Sequence, residues 1–514
     1  MKEKLKKFVY RIRYITEFAS ASVLMFFLFQ LIYKKAYYGY FEKDYIIGTV
    51  IWFLILLINF VYNLVKSENK IEKIFLNIAI PAGLMYLVFM MPGHIPDEPA
   101  HFWKAYDFSQ GNLSVKIDSD GKSYITVPKS LLDINNSKEN YWQYVEALGQ
   151  KTDYSDTTKV ISSAQGNWSG MYLFSGIGFA VARGLNLPVG VGMYFGKVLN
   201  FAFFLVLAYF AIRRIPFGKL VLAIYMVTPM NLQQVTSISP DAFINAITLF
   251  YIAFSISLIF KKEKVAKKEI VLYILMTMLI GVLKFVYILL AGVGFLIIKR
   301  KDLSKKQKIG IIILTVILGG AVTIGMYIDQ GKYSDTPNEG MQEYLDSVNV
   351  SPERQAKEIK ENPEHIAKAY FDDWYGRQKE YMFMAIGSSL GWIEVQTSET
   401  IILLYFVLLI LACFAEKSEH DFNKKNKIWL FLIFAGVVIL VEFAMYLAST
   451  SVGGEYIGGV QGRYFIPVYI LLLLCLYNKD SYIKIKHGEK KLMVLSGLFN
   501  VLVIAEIIKF FIPK

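Results

Sequence analysis

The chain of 514 residues has only two cysteines, Cys413 and Cys475, and both fall inside apolar runs. A disulfide framework and a cysteine-held metal site are thereby excluded. Its one glycine-rich stretch, Gly453 to Gly462, matches neither the P-loop nor the dinucleotide fingerprint, so no ATP-driven step is expected within the chain. Of the five histidines, His94, His365, His420 and His487 stand at no metal-ligand spacing. No repeat of fixed period emerges. The first apolar run follows a basic start, Met1 to Tyr14, with no small-residue cleavage site after it, and is expected to be retained as a helix.

What the chain has instead is apolar surface. Hydrophobic residues make up 55% of it, above the roughly 45–50% of soluble domains, and they gather into long runs joined by short basic links. A helix needs about 20 residues to cross the hydrocarbon core, so the fold class is an all-α polytopic membrane protein. The runs are 17–34, 45–65, 74–91, 192–211, 217–235, 241–260, 269–283, 285–298, 309–327, 399–415, 428–448, 464–477 and 491–511, about thirteen transmembrane helices by this criterion. The formal charge of +13 sits mainly in the links, where it signals topology, so nucleic acid is not an expected partner. With the N-terminus cytoplasmic, the links around 66–73, 213–214, 261–268, 299–308, 417–427 and 479–491 all fall inside, and these are the basic ones.

That assignment leaves two large extracytoplasmic segments, 92–191 and 328–398. The chain divides into N-terminal helices (1–73), a membrane core carrying the first outer loop (74–327), the second outer segment (328–398) and C-terminal helices (399–514). Segment 104–165 carries the turn signals Asp120-Gly121 and Asn135-Asn136 and reads as a small irregular cap. Segment 168–186 is apolar enough to cross, but crossing would strand Arg213 and Arg214 outside. It therefore reads as lying along the outer interface, with Trp168 and Tyr172 as anchors. Segment 269–298 reads as a hairpin around Lys284, with arms of only about 21 Å at 1.5 Å per residue, which sets that lysine below the outer surface. Helix starts at Ser351-Pro352-Glu353 and Asn362-Pro363-Glu364 make 351–385 helical, with Asp372, Asp373 and Trp374 on a solvated helix.

The residues able to do chemistry fall on that outer side. Pro96-Asp97-Glu98-Pro99-Ala100-His101 starts a helix on which Asp97 and His101 share a face, and Lys104 extends it. Asp97 reads either as a helix cap or as a general base; Glu98 points elsewhere. Ser237-Ile238-Ser239-Pro240-Asp241 opens another helix, with Asp241 either at the dipole or orienting an acceptor hydroxyl or a metal. Arg463, after Gln461 and before Tyr464, is either an interfacial anchor or a phosphate ligand. Lys284 invites the same phosphate reading. Trp392 and Glu394 precede the tenth span as a belt residue and its neighbour, or as part of the substrate site.

An extracytoplasmic site has no ready access to nucleotide-activated donors, whereas a sugar on a polyprenyl phosphate would reach it through the membrane. Asp97 would then take the acceptor proton while Arg463 and Lys284 held the leaving phosphate. The segments Pro96 to Phe102, Pro229 with Ser237 to Asp241, and Gln461 to Phe465 resemble the signatures of bacterial membrane proteins of domain of unknown function 2142, related to the C-type glycosyltransferase superfamily. The resemblance covers roughly 74–475. It implies a multi-span fold with an essential acid in the first outer loop, here Asp97 with Glu98 beside it. It also implies a polyprenyl-phosphate sugar donor and inversion at the anomeric carbon. Two spans precede the one leading into the motif, where many relatives have none. The acids are adjacent, not separated, which leaves a divalent metal open and no cofactor certain. The expected function is a glycosyltransferase of the bacterial cell membrane acting on an extracytoplasmic envelope glycan or other acceptor, with membrane lipid as a further partner. A transporter or flippase of lipid-linked saccharides, a polysaccharide polymerase or ligase, and a non-catalytic envelope scaffold are the alternatives.

Overall fold

The computed structural model describes residues 2–119, 123–136, 141–334 and 339–511. It is mostly helical. Among the described residues, eight helices are long and apolar enough to cross a membrane: Ile12–Tyr38, Lys43–Lys66, Ile71–Phe89, Val189–Arg214, Asp241–Phe260, Lys305–Met326, Lys424–Ser449 and Gly488–Phe511. Three shorter apolar helices, Phe285–Lys299, Glu399–Phe414 and Gly462–Leu476, accompany them.

The run expected over 217–235 is two helices, Lys219–Met226 and Pro229–Val235, broken at Val227 and Thr228. Pro229 explains the break, because proline carries no backbone donor and disfavours helical geometry in the residue before it. The hairpin expected around Lys284 is present. Lys284 is extended (φ −151, ψ 130), the arms Lys267–Leu283 and Phe285–Lys299 fold together, and Tyr273 donates its hydroxyl to Ala291 O at 3.2 Å.

The loops keep to two groups. Arg300 donates to Leu258 O, Lys261 O and Glu263 O, Lys262 faces Glu419, Leu220 N donates to Glu416, and Lys427 pairs with Asp421. These are the basic links. The acidic and glycine-rich loops meet one another elsewhere, as described below.

In segment 168–186, Tyr172 is not the exposed interfacial anchor expected of it. A short 3-10 turn, Ser169–Tyr172, leads into Leu173–Gly184, whose 12 residues extend only about 18 Å at 1.5 Å per residue. This helix packs into Val189–Arg214 where glycines allow backbones to touch: a Cβ on Gly178 would stand 2.2 Å from Gly196 N and 2.8 Å from Gly192 O. Small residues four apart are a known device for such close helix contact. Tyr172 is fully buried. The cap is less irregular than its composition implied, since Lys116–Ile117, Ser123–Pro128 and Thr157–Val160 form a three-stranded antiparallel sheet with Ile125 opposite Val160. Asn135-Asn136 ends a helix there; Asp120-Gly121 falls outside the described residues.

Candidate functional site

Ile95-Pro96-Asp97-Glu98 makes a tight turn, with Glu98 N donating to Ile95 O at 3.0 Å. Proline suits its second position, and the third requires positive φ, where glycine or asparagine is usual. Asp97 stands there instead, at φ 64 and ψ −1. A non-glycine residue held in this region carries strain, a pattern associated with functional sites. The helix Glu98–Ser109 begins immediately after, yet the Asp97 side chain makes no capping hydrogen bond. Capping, the ordinary explanation of an acid at this position, is therefore absent.

The Asp97 carboxylate faces Arg463, whose Nη2 donates to Oδ2 at 2.7 Å. The Arg463 side chain is 4% exposed, while that of Asp97 is 53% exposed. Arg463 Nη1 reaches Asp241 Oδ2 at 3.4 Å and Pro96 O at 3.3 Å, and its Nε donates to Gln461 Oε1 at 2.7 Å. Lys284 Nζ lies 3.5 Å from Asp241 Oδ1. The ring of Tyr464 is 5.1 Å from both Lys284 Nζ and the Arg463 guanidinium carbon, within cation–π reach. Two carboxylates and two cations thus alternate around one opening. Asp97, His101, Asn167, Asp241, Lys284, Arg463 and Tyr464 line a pocket of about 610 Å³ there.

His101 forms the wall beside Asp97, one helical turn on. Asn167 Nδ2 donates to the Tyr172 hydroxyl at 2.9 Å, and that hydroxyl lies 2.9 Å from His101 Nδ1, where the imidazole tautomer sets which partner donates. Burial holds the imidazole pKa down, to about 4, despite the pull of Asp97 and Asp241. At neutral pH His101 is therefore an uncharged imidazole.

Glu98 does something else. It is fully buried and accepts Gly93 N at 2.6 Å and Ile238 N at 2.9 Å, joining the Asp97 turn to the turn that presents Asp241. Burial raises its pKa, opposed by Lys197 and by these two amides. It does not line the pocket. Lys104 is also buried away from the pocket, donating to Gln165 O at 3.1 Å. Trp392 and Glu394 sit behind the turn: Trp392 Nε1 donates to Gly93 O at 3.0 Å, and Glu394 lies 3.7 Å from His94 Nδ1. Gln461 orients Arg463 rather than facing the opening.

The structure therefore brings Asp97, His101, Asp241, Lys284, Arg463 and Tyr464 into one pocket and sets Glu98, Trp392, Glu394 and Gln461 around it. Asn167 does not stand out in the sequence, and Tyr172 stands out there only as an interfacial anchor. Nothing local to Asn167 or Tyr172 signals that they meet a histidine some seventy positions earlier. Among the described residues, no group of three or more His, Cys, Asp or Glu is arranged to hold a metal ion.

A family model described as a predicted membrane protein, DUF2142, matches residues 46–472. No curated protein and no solved structure matches the chain.

Proposed function

The chain belongs to the DUF2142 family of predicted membrane proteins, and from that premise we propose that it is a glycosyltransferase. It moves a sugar from a polyprenyl-phosphate donor to an extracytoplasmic envelope acceptor. The observation carrying this reading is the Asp97–Arg463–Asp241–Lys284 cluster: a partly exposed carboxylate beside two cations in one pocket. Guanidinium and ammonium groups suit a phosphate oxyanion, and a carboxylate within reach suits a hydroxyl proton.

In this reading the donor phosphate lies between Lys284 and Arg463. Asp97 removes the acceptor hydroxyl proton as the new bond to the anomeric carbon forms. The bond from that carbon to the phosphate oxygen breaks, and polyprenyl phosphate leaves with its electron pair held by the two cations. Attack opposite the leaving group inverts the anomeric centre. The neutral His101 makes a hydrogen bond to the substrate beside Asp97. Thirteen spans, a cytoplasmic N-terminus and an extracytoplasmic pocket in a bacterial plasma membrane complete the proposal. The segregation of basic links from the pocket loops supports that sidedness. A polymerase or ligase would use the same groups with a longer lipid-linked glycan.

The broken helix at Val227–Thr228 and the interrupted arm Phe285–Lys299 favour a second reading, a transporter of lipid-linked saccharides. Discontinuous helices are typical of transporters. Comparing envelope glycan composition and linkage in intact, deleted and Asp97→Asn strains separates the two. Loss of one sugar substituent in both altered strains supports transfer. Loss in the deletion alone, at matched protein level, refutes it and favours transport.

A further inference from the structure

Helix Pro363–Gly376, in the second outer segment, was expected to be solvated. Its inner face is not. Asp373 is fully buried, Tyr370 donates its hydroxyl to Ile439 O at 2.7 Å, and Trp374 Nε1 donates to Glu442 Oε2 at 2.7 Å. Both acceptors belong to Lys424–Ser449, one of the membrane-length helices. Lys368 meanwhile pairs with Glu455 at 2.6 Å and Arg377 Nη1 donates to Ile457 O at 3.0 Å, both in the loop beyond the end of that helix. The helix thus lies across the mouth of the bundle, its polar side chains level with the loop and its aromatic ones reaching down the span.

The depth can be bounded. Helix Lys424–Ser449 has 26 residues, about 39 Å at 1.5 Å per residue, against a hydrocarbon core of about 30 Å. Centred, it would project about 4–5 Å beyond each boundary. Glu442 lies about 10 Å, and Ile439 about 15 Å, below its Ser449 end by the same rise. Side chains that touch them therefore pass the headgroup boundary.

On the neighbouring face of the same helix, Phe371 is 70% and Tyr375 88% exposed, and their rings stack at 6.3 Å with an interplanar angle of 2°. Trp374 beside them is 40% exposed. Large aromatic side chains so open to solvent would be costly, whereas the headgroup–acyl boundary is where aromatic rings concentrate and where an in-plane helix buries its apolar face by about 5–10 Å. Leu432 and Ile439 on Lys424–Ser449 are likewise apolar and exposed.

We propose that Pro363–Gly376 is an in-plane membrane-surface helix, seating Phe371, Trp374 and Tyr375 in the lipid leaflet on the pocket's side. The occupant of the aromatic patch is the bilayer itself. The next helix, Gln378–Ile386, backs the turn that presents Arg463, because a Cβ on Gly462 would stand 2.4 Å from Ala385 N and 2.5 Å from Tyr381 O. The bilayer seat and the arginine turn are thus consecutive in one packed unit. The bilayer seat is the same whichever reaction the pocket performs.

The test is power-saturation spectroscopy of the full-length protein in lipid nanodiscs, with nitroxide labels on Phe371→Cys and Tyr375→Cys. Glu353→Cys on an exposed position of the preceding helix is the solvent reference, Leu432→Cys the lipid reference, and the unsubstituted protein corrects for Cys413 and Cys475. Labels at 371 and 375 are expected to collide with oxygen as at 432 and to be shielded from a water-soluble nickel chelate. Chelate access equal to that at 353 would overturn the proposal. So would a chelate-accessible label that is immobilised only on adding soluble oligosaccharide, since the stacked pair would then be a sugar platform.

Discussion

Arg463 and Asp97 lie 366 positions apart in the chain and 2.7 Å apart in space. The pairing is uneven, because the arginine is buried and the aspartate half open. Any molecule entering the pocket would meet the carboxylate first, with the guanidinium fixed behind it.

Neutralising Asp97 is accordingly expected to remove function without removing the protein. Asp97→Asn preserves shape and a carbonyl acceptor for Arg463, but cannot take a proton. A drop of roughly 10²–10⁴-fold in transfer is expected, at a membrane level matching the unaltered chain. Transfer from a purified donor, measured beside an immunoblot, checks it, and near-normal turnover would remove Asp97 from the role of base.

The adjacent acid should behave in the opposite way. Glu98→Ala strips two buried backbone N–H groups of their acceptor, at a cost of about 1–3 kcal/mol for each. The variant is expected to lose thermal stability and accumulate poorly. A melting midpoint in detergent as high as that of Asp97→Asn would contradict the role of Glu98 in joining the two turns.

Arg463 should act on the donor. Arg463→Lys keeps the charge but loses the planar fork, so the expected result is a raised donor KM with the acceptor KM little changed. Arg463→Ala leaves Asp241 with Lys284 alone and should be worse, in stability as well as in donor use. If saturating donor restores no part of the rate in Arg463→Lys, the phosphate assignment fails.

Acid sensitivity should run through His101. Its ordinary pKa is 6.5 and burial lowers it to about 4 in the folded chain. Between those values the unfolded state binds more protons. The stability of the neutral buried ring is therefore complete above about 6.5 and lost as pH falls toward 4, with a full loss of roughly 3 kcal/mol. Melting at pH 7.5 and pH 5 should fall further for the unaltered protein than for His101→Gln. Equal falls would mean that another group governs the acid limb.

Sidedness is open to direct chemistry. Gln110 is exposed at the end of the motif helix and Lys262 is exposed in a basic link. In intact cells, Gln110→Cys should react with an impermeant thiol reagent and Lys262→Cys only after lysis. The reverse pattern would invert the orientation.

Much of this was legible in the sequence because the signals were local. Apolar runs located the eight membrane-length helices among the described residues, basic links marked one set of loops, and Pro96, Pro240 and Pro363 marked helix starts. Asp97, Asp241, Lys284 and Arg463 stood out as charges beside apolar runs. What was not legible depends on partners distant in the chain. Glu98 and Asp97 look alike in sequence, and only the amides of Gly93 and Ile238 make one the join between two turns. Tyr172 lies in a run apolar enough to suggest an interface, yet it is buried against His101, which is distant in the chain. Trp374 lay beside two acids, Asp372 and Asp373, which made its helix read as solvated until Glu442 was seen beneath it.

The distance in sequence between Asp97 and Arg463 also has a consequence for biosynthesis. At about 5–20 residues per second, a ribosome needs on the order of 20–70 s to travel from one to the other. Throughout that interval Asp97, and later Asp241, wait in a partly built bundle without the guanidinium that faces both. The pocket is among the last parts of the molecule that can close. A chain released before the Gln461–Tyr464 turn would still carry its early helices, but with an acidic mouth in place of a balanced one.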